Sequence, residues 1–209
     1  TTIYKYILKS AAKKYGLEAC FMPKPIEGIN GSGMHVHQSL IAVRDLDEDV
    51  FGKRYKQGEN LFFNSERKFM LSRTARYYIG GLLKYAPGIL RITNPDPNSY
   101  LRIIPHYEAP TNIIWGTRNR SALVRIPAFS DGKTARVEIR MPDPCGNIYA
   151  KFCAILLAGL TGIREKIEPP DPLKRKESVF EMSETEKDNR NIKELPGGPG
   201  GLEKAIVLM

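Results

Sequence analysis

No stretch of this chain approaches the roughly 18 consecutive apolar residues that a membrane span needs. No basic and then apolar opening marks a secretion signal. Cysteine is scarce: Cys20, Cys145 and Cys153 form no close pair of metal-ligand type. Three is odd, so one stays free even if the others pair, and reduced thiols in a cytoplasmic protein is the simplest reading. There is no zinc-finger spacing, no block of like charges and no internal repeat. The formal net charge is nonetheless +9. Lysines are scattered on helix-like faces, the pattern of a solvated surface, whereas arginines gather in strand-like segments between Arg102 and Arg140. That distribution argues against nucleic acid or a membrane as partner and for a small anionic ligand, which the rigid guanidinium fork suits. The 209 residues suffice for one domain with a sizeable core.

Thr2 to Tyr15 reads as an amphipathic helix, with Ile3, Ile7, Leu8 and Ala11 at helical spacing and Gly16 as its stop. Leu17–Met22 and Met34–Leu40 read as strands on either side of the NGSG turn. The polar stretch holding Asp45, Asp47, Glu48 and Asp49 reads as a surface loop. Ser65 is the expected cap of a second helix that ends near Tyr85, before Pro87 and Gly88. Alternation predicts strands at Tyr100–Ile104, Asn112–Trp115, Ser121–Ile126 and Ala135–Arg140. Asn147 is the expected cap of a helix from Tyr149 to Ile167, apolar on nearly every side and therefore buried. The tail, charged and then LPGGPGG, reads as extended surface chain. Helices and strands mix without βαβ alternation, so the fold class is α+β, an antiparallel sheet packed with helices.

Two clusters of period two carry the chemistry: His35 and His37 in NGSGMHVHQSL, and Arg136, Glu138 and Arg140 in RVEIR. On a strand, such spacing places each set on one face. Paired histidines after a glycine-rich turn suit metal or phosphate binding, although a lone histidine is more often an ordinary surface or core residue. RVEIR alone equally suits a solvent-facing strand edge with simple ion pairs. Its company favours a site, because Arg102, Arg118, Arg120 and Arg125 lie just upstream. That many guanidiniums repel unless anions sit among them, and polyphosphate with a carboxylate-bound metal fills that need. Glu108, in HYEAP, becomes a proton acceptor only if its loop closes on the site.

The motifs NGSGMHVHQSL, NPDPNSYLRIIPHYEAP, TRNRSALVRIP and RVEIRMPDP, in this order, resemble the signatures of glutamine synthetase. The resemblance runs from about Tyr15 to Ile167. It implies part of that family's half-barrel catalytic domain, with 1–168 as a partial catalytic domain and 169–209 as a charged, Gly/Pro-rich extension of it. It also implies glutamine formation from glutamate, ammonia and ATP with Mg²⁺ or Mn²⁺, through γ-glutamyl phosphate, in a cytoplasmic homo-oligomer that is a dodecamer in the intact family member. By motif, His35 and Glu138 would bind metal. His37, Ser39, Arg120, Arg125 and Arg136 would bind ATP. Asn30, Gly31, Arg102, Glu108 and Arg140 would bind glutamate. Glu108 and Arg120 would be catalytic.

Departures from the family pattern shape the expectation. The family's other metal-binding glutamates lie upstream, in motifs this chain lacks, so the chain is expected to be an incomplete, inactive portion. Phe180 stands where some bacterial members carry an adenylylated tyrosine, so that regulation is not expected. Leu101 and Ile148 replace a common lysine and proline. Two other readings remain: a ligase joining glutamate to another amine, and a non-catalytic chain that binds ATP or a partner.

Overall fold

The computed structural model describes residues 1–46 and 54–208; Asp47, Glu48 and Asp49 of the expected polar loop lie outside them. Helix α1 spans Thr2–Lys14, strand β1 Val36–Gln38, and helix α2 Arg73–Thr93. Helix α3 (Pro97–Arg102) precedes strands β2 (Asn112–Ile113), β3 (Trp115–Thr117), β4 (Val124–Ile126) and β5 (Val137–Ile139). Helix α4 (Ile148–Arg164), helix α5 (Glu184–Asn189), strand β6 (Lys193–Glu194) and helix α6 (Gly201–Val207) follow. The α+β class expected from the pattern is present. The main sheet has the order β1-β5-β4-β3, and β2 pairs with β6 in a separate ribbon. Pairing is antiparallel except between β3 and β4, which run parallel. The short loop 118–123 makes that connection, with Arg118 turning through the left-handed region at φ 54°.

The core forms where α2 and α4 pack on each other and α2 on the sheet. Tyr78, Ile79, Leu82 and Leu90 of α2 meet Trp115, Val124, Val137, Ile139 and Ile155, all inaccessible to solvent. The two helices approach through glycine. A Cβ on Gly81 would sit 2.2 Å from the carbonyl oxygen of Ala158, and one on Gly162 2.3 Å from that of Tyr77. Backbone cannot give way as a side chain can, so Gly162→Ala is expected to cost about 1–3 kcal/mol by forcing the helices apart. Urea unfolding checks this, and a change within experimental error would contradict the close approach.

Several local expectations are corrected. Leu17–Met22 is not a strand. Ser72, not Ser65, caps α2, accepting from the amide of Ala75 at 3.0 Å. The helix runs through Pro87 to Thr93, because burial against α4 outweighs one lost ladder bond. Tyr100 lies in a helix: Asp96 and Ser99 form a capping box with Pro97 at the first position. Helix α4 starts under Asn147 as expected, but one side is open, with Phe152, Leu156, Leu157 and Leu160 exposed. Helix α1 buries no residue at all. The tail is not extended surface chain. Leu173, Val179, Leu195 and Ala205 are buried, and the amide of Leu195 donates to Thr111 O at 2.7 Å.

Candidate functional site

Strand β5 is interior, flanked by β1 and β4, and this decides how RVEIR is used. Register places His37 opposite Glu138 on one side and Arg125 opposite it on the other. The three side chains therefore form one row across the sheet. Glu138 is completely buried, so the reading of RVEIR as a solvent-facing edge is overturned. Its carboxylate accepts from Arg125 Nε at 2.6 Å and Nη2 at 2.9 Å, a bidentate pair. His35, just before β1, brings Nδ1 to 2.9 Å from Glu138 Oε1. Burial alone would push the Glu138 carboxyl up. Hydrogen bonds from His35 and Arg125, with the Arg125 charge, overcome that and hold it at about 2.

Donation from Nδ1 of His35 leaves its Nε2 lone pair outward. This is the tautomer a metal-ligating imidazole takes when a carboxylate orients it. Gly33 keeps that atom accessible: a methyl group there would lie 3.3 Å from His35 Nε2 and 2.5 Å from Arg102 Nη2. His37 is different. Burial lowers its pKa, and the nearby charges of Arg136 and Arg125 lower it further against the opposing pull of Glu138. It stays neutral near pH 7, with Nδ1 accepting from Arg136 Nε at 3.2 Å. Arg136 also donates to Thr134 O at 2.9 Å.

A second group adjoins this row. Arg102, on α3, is 3% exposed and donates to the carbonyls of Met141 (3.0 Å) and Arg140 (3.2 Å). Arg140 donates to the carbonyls of Arg120, Ala122 (3.2 Å) and Glu108 (3.0 Å). It thereby ties down both loops that carry the expected catalytic residues. Its Nε is buried without a partner, a donor that calls for an acceptor. Burial lowers the pKa of each of these guanidiniums to about 10, which leaves both charged at neutral pH. Glu108 and Arg120 are exposed and line an open cavity of about 710 Å³ with Arg118, Arg175 and Phe180.

The structure thus brings together His35, His37, Arg125, Arg136 and Glu138, and beside them Arg102, Arg140, Glu108, Arg120 and Gly31. Asn30 and Ser39 are exposed at the margins and make no hydrogen bond to either group. Among the described residues no cluster of three His, Cys, Asp or Glu side chains is placed to hold an ion. The exposed His35 ring could give one donor to a divalent cation, whereas both Glu138 oxygens are already taken by Arg125 and His35, so most of an ion shell would have to come from other oxygen donors.

Sequence reasoning missed a buried network behind Arg102. Lys151, inaccessible on α4, donates to Thr93 O (2.6 Å), Asp143 O (2.8 Å) and Asp143 Oδ1 (3.2 Å). Asn94 Nδ2 donates to the other Asp143 oxygen at 3.0 Å. No helix among the described residues is long and apolar enough to cross a membrane.

The chain is similar to known proteins. The family described as glutamine synthetase, catalytic domain, matches residues 1–209. Glutamine synthetase of Frankia alni is 46% identical over 205 residues, covering 98% of this chain and 39% of that protein. The enzyme of Pyrococcus abyssi is 49% identical over 197 residues, covering 94% and 40%. A solved structure described as "Apo GmaS without ligand" superposes with a TM-score of 0.76 at 33% identity, over 99% of this chain and 42% of its own. The chain thus spans about 40% of the length of the curated relatives it matches. It belongs to the glutamine synthetase catalytic-domain family.

Proposed function

We propose that this chain supplies the phosphate- and glutamate-facing wall of a glutamate–ammonia ligase that forms glutamine at the expense of ATP. The observation that carries the reading is the row His37–Glu138–Arg125 with His35 beside it. It is a fully buried carboxylate, held ionised, within reach of one imidazole and of one guanidinium that binds both its oxygens. An isolated structural ion pair does not need the further guanidinium of Arg136, which lies on His37 in the same row. A site for a metal-bound polyphosphate does.

In this reading His35 and Glu138 hold a Mg²⁺ or Mn²⁺ ion, and the ion when bound neutralises charge on the transferring phosphoryl group. Arg125 and Arg136 present guanidiniums to the phosphates, and Arg120 reaches the moving phosphoryl from its loop. His37 offers Nε2–H, and Ser39 a hydroxyl, to the nucleotide. Arg102 and Arg140 set positive charge against the substrate carboxylate. Asn30 and Gly31 lie at the amino-group end. Glu108, exposed beside Arg120, accepts the proton that ammonium must lose before attack on the acyl phosphate. We read 169–209 as an extension of the same domain, a reading supported by Leu195 and Ala205, which pack in the main core. A cytoplasmic setting and a homo-oligomer are parts of the same proposal, as is inactivity of these residues without the further donors that a full ion shell requires.

Release of ADP from ATP and Mg²⁺, measured with glutamate and ammonia each present or withheld, tests the activity in the intact protein. Dependence on both substrates is expected. ATP binding without such turnover would favour a non-catalytic chain, and faster turnover with a larger amine than with ammonia would favour a sister ligase.

A further inference from the structure

The two loops that face glutamate in the proposed function come from distant parts of the chain, and one buried side chain spans the space between them. Lys24 is 7% exposed, unusual for a lysine. Its Nζ donates to the carbonyl of Ile29, the residue before Asn30. The same atom lies 3.9 Å from the centroid of the Tyr107 ring, and Tyr107 directly precedes Glu108. The backbone of Lys24 is fixed on both sides. Its amide donates to Asn98 Oδ1 at 2.7 Å, and its carbonyl accepts from Asn98 Nδ2 at 2.9 Å. The carbonyl of Pro23 accepts from the amide of Ser32 at 2.7 Å, which anchors the glycine-rich loop to the same platform.

The loop that carries Glu108 needs such support. His106 (φ 70°) and Glu108 (φ 58°) both lie in the left-handed region, on either side of Tyr107. Non-glycine residues hold that conformation only where their surroundings enforce it. A cation over an aromatic face in a water-poor position is a strong contact of its class. On the far side the His106 ring rests 5.4 Å from that of Phe180, so Tyr107 is held from one direction and His106 from another.

We propose that Lys24 is a positioning residue: through the Tyr107 ring and the Ile29 carbonyl it joins the Glu108 loop to the Asn30–Gly31 loop, so that both sides of the glutamate pocket are set together. The consequence for substrate rests on the functional reading above; the joint between the loops does not.

Hydrogen exchange of peptides covering 104–110 separates the two. In Lys24→Met, exchange there should rise about tenfold or more, the scale of a lost desolvated cation–π contact, while α2 and α4 keep their protection. Tyr107→Leu should reproduce the change, the double variant should add little to either single one, and Lys24→Arg should restore slow exchange. Unchanged exchange in both single variants, or a rise spread over α2 and α4 as well, would overturn the joint. In the active protein Lys24→Met should raise the KM for glutamate about tenfold with the KM for ATP unmoved, and Lys24→Arg should recover most of it. If the unmodified protein turns over and Lys24→Met keeps its glutamate KM, the positioning role is wrong. If local exchange behaves as expected in a protein with no glutamate-dependent turnover, the functional reading fails and the joint stands.

Discussion

Replacing Glu138 by alanine should lower turnover of the intact enzyme by about 10³-fold or more, the scale on which metal or charge-stabilising groups act. The substitution frees the His35 ring and leaves Arg125 without its bidentate partner and, in the proposed function, removes a metal donor. Glu138→Gln keeps the shape and removes only the charge, so a loss of similar size would assign the effect to charge. Near-normal kcat in either variant would refute the role. The same carboxylate has a second signature. Its pKa is depressed from 4.5 to about 2 in the folded protein. The unfolded chain therefore binds its proton first as pH falls. The stabilising contribution is complete above about pH 4.5 and disappears as pH drops toward 2. Unfolding free energies measured across that window should fall more steeply for the native sequence than for Glu138→Gln.

The largest effect on stability should come from Lys151→Met. Removing one partner of a buried ion pair strands the other, at a cost of about 3–5 kcal/mol. Here Asp143 would lose its cation with no exposure to solvent, and the carbonyl of Thr93 at the end of α2 would lose the closer of its two donors. For a chain of this size the loss corresponds to a fall in Tm of about 6–20 °C. Lys151→Met combined with Asp143→Leu should be less damaging than Lys151→Met alone, because no charge then remains buried. A single variant within about 1 kcal/mol of the parent would show that the pair is solvated in a way its burial denies. Since the neighbouring carbonyls of Arg140 and Met141 receive the Arg102 guanidinium, loss of the pair should, if the proposed function holds, weaken glutamate binding before it unfolds the protein.

The residues of the site were legible in the sequence, and their arrangement only in part. The spacing of His35, His37 and Glu138 put polar groups on one strand face, and the pairing of β1 with β5 brings those faces together. Yet RVEIR reads the same whether its strand lies at an edge or in the interior, since only the neighbours differ, and those are set by contacts far away in sequence. Local chemistry was sometimes available and overruled. Asp96, Pro97 and Ser99 spell a helix start, but the alternation after Tyr100 suggested a strand. Ser65 and Ser72 are equally good caps in isolation, and burial of the following turn against the core selects Ser72. Lys24 and Lys151 show the limit of reading charge as surface. Nothing in a single lysine tells that a carboxylate or an aromatic ring waits for it elsewhere in the fold.

The strands that carry the row are only three residues long, and this links folding errors to function. Side chains alternate along β5, so a slip of one residue against β1 or β4 would turn Glu138 away from His37 and Arg125 and present Val137 or Ile139 in its place. Such a misfolded molecule would lose the row, and it would also bury arginine and glutamate against the apolar side of α2. The charged row thus guards its own register: the charges that the proposed function assigns to a phosphate also penalise alternative alignments of the sheet, so the site and the correct fold are set at the same positions.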